Sequence, residues 1–313
     1  MRIPAILFIM ALTVFPPGRS KAGESVTGFD FLRLDLGARP AAMGGSFVSV
    51  EGDVHSLRYN PAGLSRVMDK SLALTVQTLT QDIRYGFAGF VTALGPGKLG
   101  VGLFYLNYGS IQRTDIFGNE DGTFSPGDFV LNLAYSDSLG KGWRWGVGVK
   151  VIQSVIDDYS ALGAAADAGV LYTFPNRPLS IGFSILNAGH GIQAFVNQKE
   201  KMPVTYQLGV SQRLEHLPLL ISLNIIKYHY ESSDWPLGLY WALGGEFTLS
   251  SHFFLRWGYN ARGREQHIQA ANDWMTGFST GFGVLFSRYR IDYSYGSQGG
   301  LGQQNTMTFS IEL

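Results

Sequence analysis

From about residue 71 to its last position the chain repeats one pattern, roughly ten residues of alternating polarity followed by a turn. A period of two puts neighbouring side chains on opposite faces of a strand. Trp143, Trp145, Val147, Val149 and Val151 alternate with Arg144, Gly146, Gly148 and Lys150, and Val204, Tyr206, Leu208 and Val210 alternate with Thr205, Gln207, Gly209 and Ser211. The final residues do the same, with Met307, Phe309, Ile311 and Leu313 set against Thr306, Thr308, Ser310 and Glu312. Fourteen such segments are predicted, near 71–80, 83–93, 98–108, 128–138, 143–156, 162–174, 179–188, 204–213, 218–229, 237–248, 252–259, 276–286, 288–296 and 304–313.

Alternation alone fits both a soluble sandwich and a membrane barrel. The connections decide between them. Tight links at 94–97, 139–142, 175–178, 215–217 and 249–251 interleave with mostly longer ones at 109–127, 189–203, 230–236, 260–275 and 297–303. An even strand count with short turns at one end and long loops at the other is the layout of outer-membrane barrels. Composition agrees. Charged residues make up only 15% of the chain, with 24 Lys+Arg balancing 24 Asp+Glu, which suits a polar lumen better than a water-exposed surface. With no basic excess, a nucleic-acid partner is not expected. The absence of Cys removes disulfides, thiolate metal sites and Cys nucleophiles. The expected fold is therefore all-β, a 14-stranded antiparallel transmembrane barrel over residues 71–313 in contact with outer-membrane lipid. Trp143, Trp145, Trp241, Trp257, Tyr289 and Tyr293 fall on its outward register as aromatic-girdle candidates.

Ahead of the barrel, Arg2, the apolar run 3–15 and Ser20-Lys21-Ala22 read as a signal peptide over 1–22. The run would reach only about 20 Å as a helix, short of a membrane span. Residues 23–70 do not alternate, and about 48 residues of mixed polarity before a roomy barrel are expected to form a plug, or hatch. Within them Asn60-Pro61 starts a turn or short helix, with Asn as cap and Pro at the first helical position.

The stretch 36–64, with Gly37-Ala38, Pro40, Ala42-Met43-Gly44, the acidic Asp53 and Asn60-Pro61-Ala62-Gly63, resembles the N-terminal signature of the PorV/PorQ family of outer-membrane proteins, within the wider FadL-like group of barrels. The resemblance implies a 14-stranded barrel with an N-terminal hatch. It also implies a role in type IX protein secretion, as a docking or shuttle component with protein partners at the extracellular loops. The Asn-Pro-Ala-Gly element is shared with FadL-type transporters of hydrophobic compounds. The alternative expectation is therefore a passive transporter with a hydrophobic ligand in its lumen, and Phe29, Phe31, Leu32 and Leu34 are candidates to line it.

No catalytic role or cofactor is expected. Gly277-Phe278-Ser279-Thr280-Gly281 matches G-x-S-x-G, but it lies in an alternating strand and not at the strand–turn–helix junction that a nucleophile elbow requires. The six histidines show no metal-ligand spacing. Asp115 to Gly122 lacks the spacing of a calcium loop and reads as a solvated turn. The inward register carries Arg144, Lys150, Asp167, Glu246, Arg256, Arg290 and Asp292, which are expected to pair within the lumen or against the plug. The loop 260–275 is expected to be a partner-contact surface.

Overall fold

The computed structural model describes residues 27–80, 82–229, 238–265 (without the side chains of the last two), 275–299 and 302–313. The expected signal peptide lies outside these residues. Among the described residues sixteen strands occur, in the order β1 (Ser71–Thr78), β2 (Arg84–Leu94), β3 (Gly97–Asn107), β4 (Ile111–Thr114), β5 (Glu120–Phe124), β6 (Gly127–Gly140), β7 (Trp143–Ile156), β8 (Tyr159–Thr173), β9 (Leu179–Gln193), β10 (Thr205–Arg213), β11 (Leu219–Tyr228), β12 (Tyr240–Thr248), β13 (Phe253–Asn260), β14 (Phe278–Phe286), β15 (Tyr289–Ser297) and β16 (Gln303–Glu312). All but β4 and β5 join one closed antiparallel barrel, which is sealed where β1 pairs with β16 from Ser71–Glu312 to Thr78–Asn305.

Closure leaves the barrel no strand edge, so each of its strands finds hydrogen-bonding neighbours on both sides without water. The burial pattern is the reverse of a soluble protein's. On β7, Val149 is 58% exposed and its neighbour Lys150 3%. Around the barrel Leu74, Leu133, Phe183, Leu208, Ile225 and Met307 face outward, whereas Thr75, Asn132, Ser184, Gln207, Asn224 and Thr306 are buried. Such an outer face needs hydrocarbon around it, and the barrel is a transmembrane one.

Two features mark the long-loop end. The stretch 109–127 holds the small β4–β5 hairpin, standing apart from the barrel sheet. Its tip closes where the Asp115 carboxylate accepts hydrogen bonds from the backbone N–H of Phe117 and Asn119, each at 2.8 Å. The β7–β8 link at the same end is not long. It is a two-residue turn with Asp157 at φ 53°.

Residues 27–70 contact the buried faces of strands all around the cylinder, which a single segment can do only from inside. They form a 3-10 turn at Asp30–Arg33, helix α1 (Ala38–Ala42), helix α2 (Ser56–Tyr59) and a 3-10 turn at Pro61–Arg66. Such irregular backbone leaves many carbonyls without partners in the segment itself, and buried carbonyls need donors. The wall supplies them. Asn132 Nδ2 donates to Leu57 O (3.0 Å), Ser136 Oγ to Ala62 O (3.1 Å), Ser184 Oγ to Tyr59 O (2.8 Å), Ser211 Oγ to Ser49 O (3.0 Å), Asn224 Nδ2 to Gly45 O (3.2 Å) and Ser279 Oγ to Ala42 O (3.1 Å). Where backbone meets backbone the wall is glycine. A Cβ on Gly258 would lie 2.1 Å from Gly44 N, and one on Gly146 2.4 Å from the carbonyl carbon of Pro61.

Candidate functional site

The interior holds a charged cluster and two cavities. The cluster forms where α1 and the turn after it meet β12, β13 and β15. Gly37 precedes α1 at φ 88°, with the His55 ring where a Cβ would stand, so a side chain is excluded both by conformation and by space. Pro40 lies inside the helix, and Met43 and Gly44 close it against Gly244 and Gly258. This places the Arg39 guanidinium on Glu246 in a two-pronged pair, Nε–Oε2 and Nη2–Oε1 both 2.8 Å, with Asp53 Oδ2 at 3.2 Å. Arg256 Nε reaches Glu246 Oε2 at 2.6 Å and its Nη1 reaches Asp292 Oδ1 at 2.9 Å. Arg290 Nε lies 2.8 Å from Asp292 Oδ2. Three guanidinium groups thus interleave with Asp53, Glu246 and Asp292.

Asp53 also holds His55, with Oδ1 and Nδ1 2.7 Å apart. The other ring nitrogen lies 3.0 Å from Thr75 Oγ1, which in turn meets Thr308 Oγ1 at 2.8 Å. Burial works to raise the Asp53 carboxyl, but the adjoining His55 and Arg39 together hold it well below the usual carboxylate range. Elsewhere, Arg144 pairs with Glu51 at 2.8 Å, and Lys150 pairs with Asp167 at 2.8 Å and donates to Asn187 Oδ1 at 2.7 Å.

The second sequence element lies apart from this cluster, against β7 and β8. Asn60 Oδ1 accepts from Ala62 N–H at 3.1 Å, capping the turn that Pro61 begins. Its Nδ2 donates to Val48 O at 2.8 Å and Val170 O at 3.2 Å. Gly63 packs against Ser56, where a Cβ would come within 2.6 Å of its hydroxyl. All seven charged positions read as inward are on the buried register. The structure brings Asp53, Glu246, Arg256, Arg290 and Asp292 together and leaves Arg144 and the Lys150–Asp167 pair separate. Arg39, His55 and Glu51, which the sequence reading did not single out, complete these groups. Ser279 sits in β14, its hydroxyl bonded to Ala42. Residues 266–274 of the loop 260–275 lie outside the described residues, and Arg262 stacks over Tyr228 at 4.7 Å. Among the described residues no cluster of three His, Asp or Glu side chains is placed to hold a metal.

The larger cavity, about 170 Å³, opens toward the long loops and is mixed in character, lined in part by Arg33, Asp35, Arg58 and Gln207 and in part by Leu34, Ile226 and Phe278. Burial pushes the Asp35 carboxyl up, against the lowering pull of Arg58 and of the Tyr59 hydroxyl bonded to it. The smaller, about 40 Å³, is apolar. Phe31, Leu32, Leu34, Leu36 and Leu57 of the inner segment face Phe87, Phe104 and Val130 of the wall, and Asn132, Lys150 and Arg58 are at its edge.

No protein-family model matches the chain, and no curated protein matches its sequence. Solved structures do. The toluene transporter TodX of Pseudomonas putida aligns with TM-score 0.62 at 14% identity, covering 88% of this chain and 96% of that one. The toluene transporter TbuX of Ralstonia pickettii gives 0.61 at 14% identity over 89% and 98%. A FadL homologue of Pseudomonas aeruginosa gives 0.52 at 12% identity over 87% and 96%. The fold is that of a FadL-like barrel. At these identities the likeness establishes the fold alone, and PorV/PorQ kinship is not among what it shows.

Proposed function

We propose that the protein is a passive outer-membrane channel for small hydrophobic molecules, with residues 23–70 acting as its plug and residues 1–22 as a cleaved export signal. The observation that carries this reading is the apolar pocket between the inner segment and β2, β3 and β6. It lies inside a lumen whose opposite wall is mostly Ser, Asn and Gly. A sealed docking platform has no use for such a pocket, whereas a path for hydrocarbons requires one. The transport named for TodX and TbuX supports the same reading.

Uptake of labelled toluene by bacteria expressing the full chain tests it. A Cβ at Gly102 would lie 3.0 Å from the Phe87 ring and 3.3 Å from Leu57, so Gly102→Leu fills the pocket. Uptake should fall to the level of cells without the protein, with the barrel still folded. Undiminished uptake would refute the reading. One observation favours the secretion-docking alternative: Ile116 and Phe117 stand 93% and 83% exposed at the hairpin tip. Recovery of secretion-machinery subunits with the protein from native membranes, abolished by Phe117→Ser, would move the weight to that side.

A further inference from the structure

The apolar pocket has one polar wall, and its chemistry specifies a ligand group. Asn132 on β6 and Lys150 on β7 are register partners lining the pocket, 8% and 3% exposed. The Asn132 amide is fixed in orientation, because its Nδ2 donates to the Leu57 carbonyl at 3.0 Å and a carbonyl can only accept. Its Oδ1 is then a buried acceptor with no partner. Lys150 Nζ has three protons. One donates to Asn187 Oδ1 at 2.7 Å and a second faces Asp167 Oδ2 at 2.8 Å, which also balances its charge. Gly148, the next inward position on β7, leaves space beside the free oxygen, since a Cβ there would stand 3.5 Å from Asn132 Oδ1.

A vacant acceptor next to an ammonium with a spare N–H complements a hydroxyl, which donates one hydrogen bond and accepts another. We infer that the pocket selects apolar molecules carrying a neutral hydroxyl, of the phenol or alcohol class, donating to Asn132 Oδ1 and accepting from Lys150 Nζ. A carboxylate is a poor fit. It competes with Asp167 for Lys150 and sets acceptor against acceptor at Asn132. The void of about 40 Å³ takes the hydroxyl end, whereas a single aromatic ring fills a cavity of about 150 Å³. Entry of the ring therefore requires Phe31 and Leu34 of the inner segment to swing aside.

The inference rests on the hydrophobic-channel reading and names its substrate class. Its test is calorimetric titration of the detergent-purified full chain with p-cresol and p-xylene, which differ by a hydroxyl in place of a methyl. A purely apolar pocket holds p-xylene more tightly, because an unbonded buried hydroxyl is costly. Here p-cresol should bind at least as tightly, and Asn132→Leu should shift the ratio of the two affinities toward p-xylene by about tenfold or more. Gly148→Ala, which leaves Asn132 in place and crowds its oxygen, should shift the ratio the same way and covers the case in which the first variant does not fold. A ratio within about twofold of the parent in both variants, or tighter binding of p-toluate than of p-cresol, overturns the hydroxyl assignment while the channel reading stands. Binding of neither neutral compound overturns both.

Discussion

Removing the Arg39 guanidinium distinguishes two of the ionic ties between the inner segment and the barrel wall. Arg39 is 11% exposed and Glu246 4%, and the two share a pair of 2.8 Å hydrogen bonds. Arg39→Met leaves Arg256 and Arg290 facing Glu246, Asp53 and Asp292, one carboxylate too many in a buried cluster. Breaking a buried pair from one side costs about 3–5 kcal/mol. The other tie, Arg144 to Glu51, has a carboxylate 24% exposed, so Arg144→Met should cost at most about 1 kcal/mol. Hydrogen exchange of the full chain in micelles reads both. Amides of residues 38–54 should exchange at least about 150-fold faster in the first variant and no more than about fivefold faster in the second. Adding Glu246→Leu to Arg39→Met restores two cations against two carboxylates. The double variant should therefore lose about 1–3 kcal/mol less than the sum of the singles. Equal acceleration by the two single variants, or strict additivity in the double, would refute the reasoning.

Two further outcomes follow from burial. The raised Asp35 carboxyl binds its proton more tightly folded than unfolded, so its contribution is full below the unfolded value of 3.8 and declines as pH rises through the folded one. Asp35→Asn keeps an acceptor for Tyr59. It should be more stable than the parent at pH 7 and lose that advantage near pH 3, as measured by denaturant unfolding, and a pH-independent difference would sink the argument. Val149→Arg, midway along β7 on the outer face, should cost about 2–4 kcal/mol in unfolding from phospholipid vesicles. On a water-facing strand the same change stays within about 0.5 kcal/mol.

The barrel was legible because two environments impose one period. The strand reading holds along β7 and β16, where burial alternates from Trp143 to Val155 and from Thr306 to Phe309. It stops early on β9, expected to end at 188 and observed to run to Gln193. There Leu186 and Asn187 are both buried and Asn187 sits at φ 59° in a bulge opposite Asp167, so the period breaks while the strand continues. The charges on the inward register were legible for the same reason as the strands, since only one face tolerates them. Their partners were not. Arg39 and Glu246 are separated by 207 positions, and no spacing links a residue in an irregular segment to one on a distant strand. The same holds for His55, whose polar neighbours Asp53 and Thr75 acquire meaning only once Gly37 brings α1 across its ring.

The division of labour inside the barrel also explains where an apolar path can run. An irregular segment threaded through a cylinder must have its carbonyls satisfied, and here β6, β9, β10, β11, β13 and β14 do so with Ser and Asn side chains, leaving Gly where the backbones touch. Of the apolar side chains of the same segment, Phe29, Phe31, Leu32, Leu36, Val54 and Leu57 pack against the remaining arc, whereas Met43, Phe47 and Val50 cluster with Leu220 on β11. That arc is where the wall turns apolar, with Ala73 on β1, Tyr85, Phe87 and Val91 on β2, Leu106 on β3, Val130 on β6 and Ile152 on β7. Ser and Asn hydrogen bonds predominate on one side of the segment and dispersion contacts on the other, where Tyr85 and Asn132 still hold the Asp35 and Leu57 carbonyls. The two differ in how readily they yield. Moving the anchored side leaves buried carbonyls unpaired, each at about 1–3 kcal/mol. Side chains on the apolar side can trade wall contacts for contacts with an apolar ligand at little net loss. A hydrophobic solute that enters this lumen therefore fits against Phe87, Phe104 and Val130, where it displaces side chains that carry no hydrogen bonds.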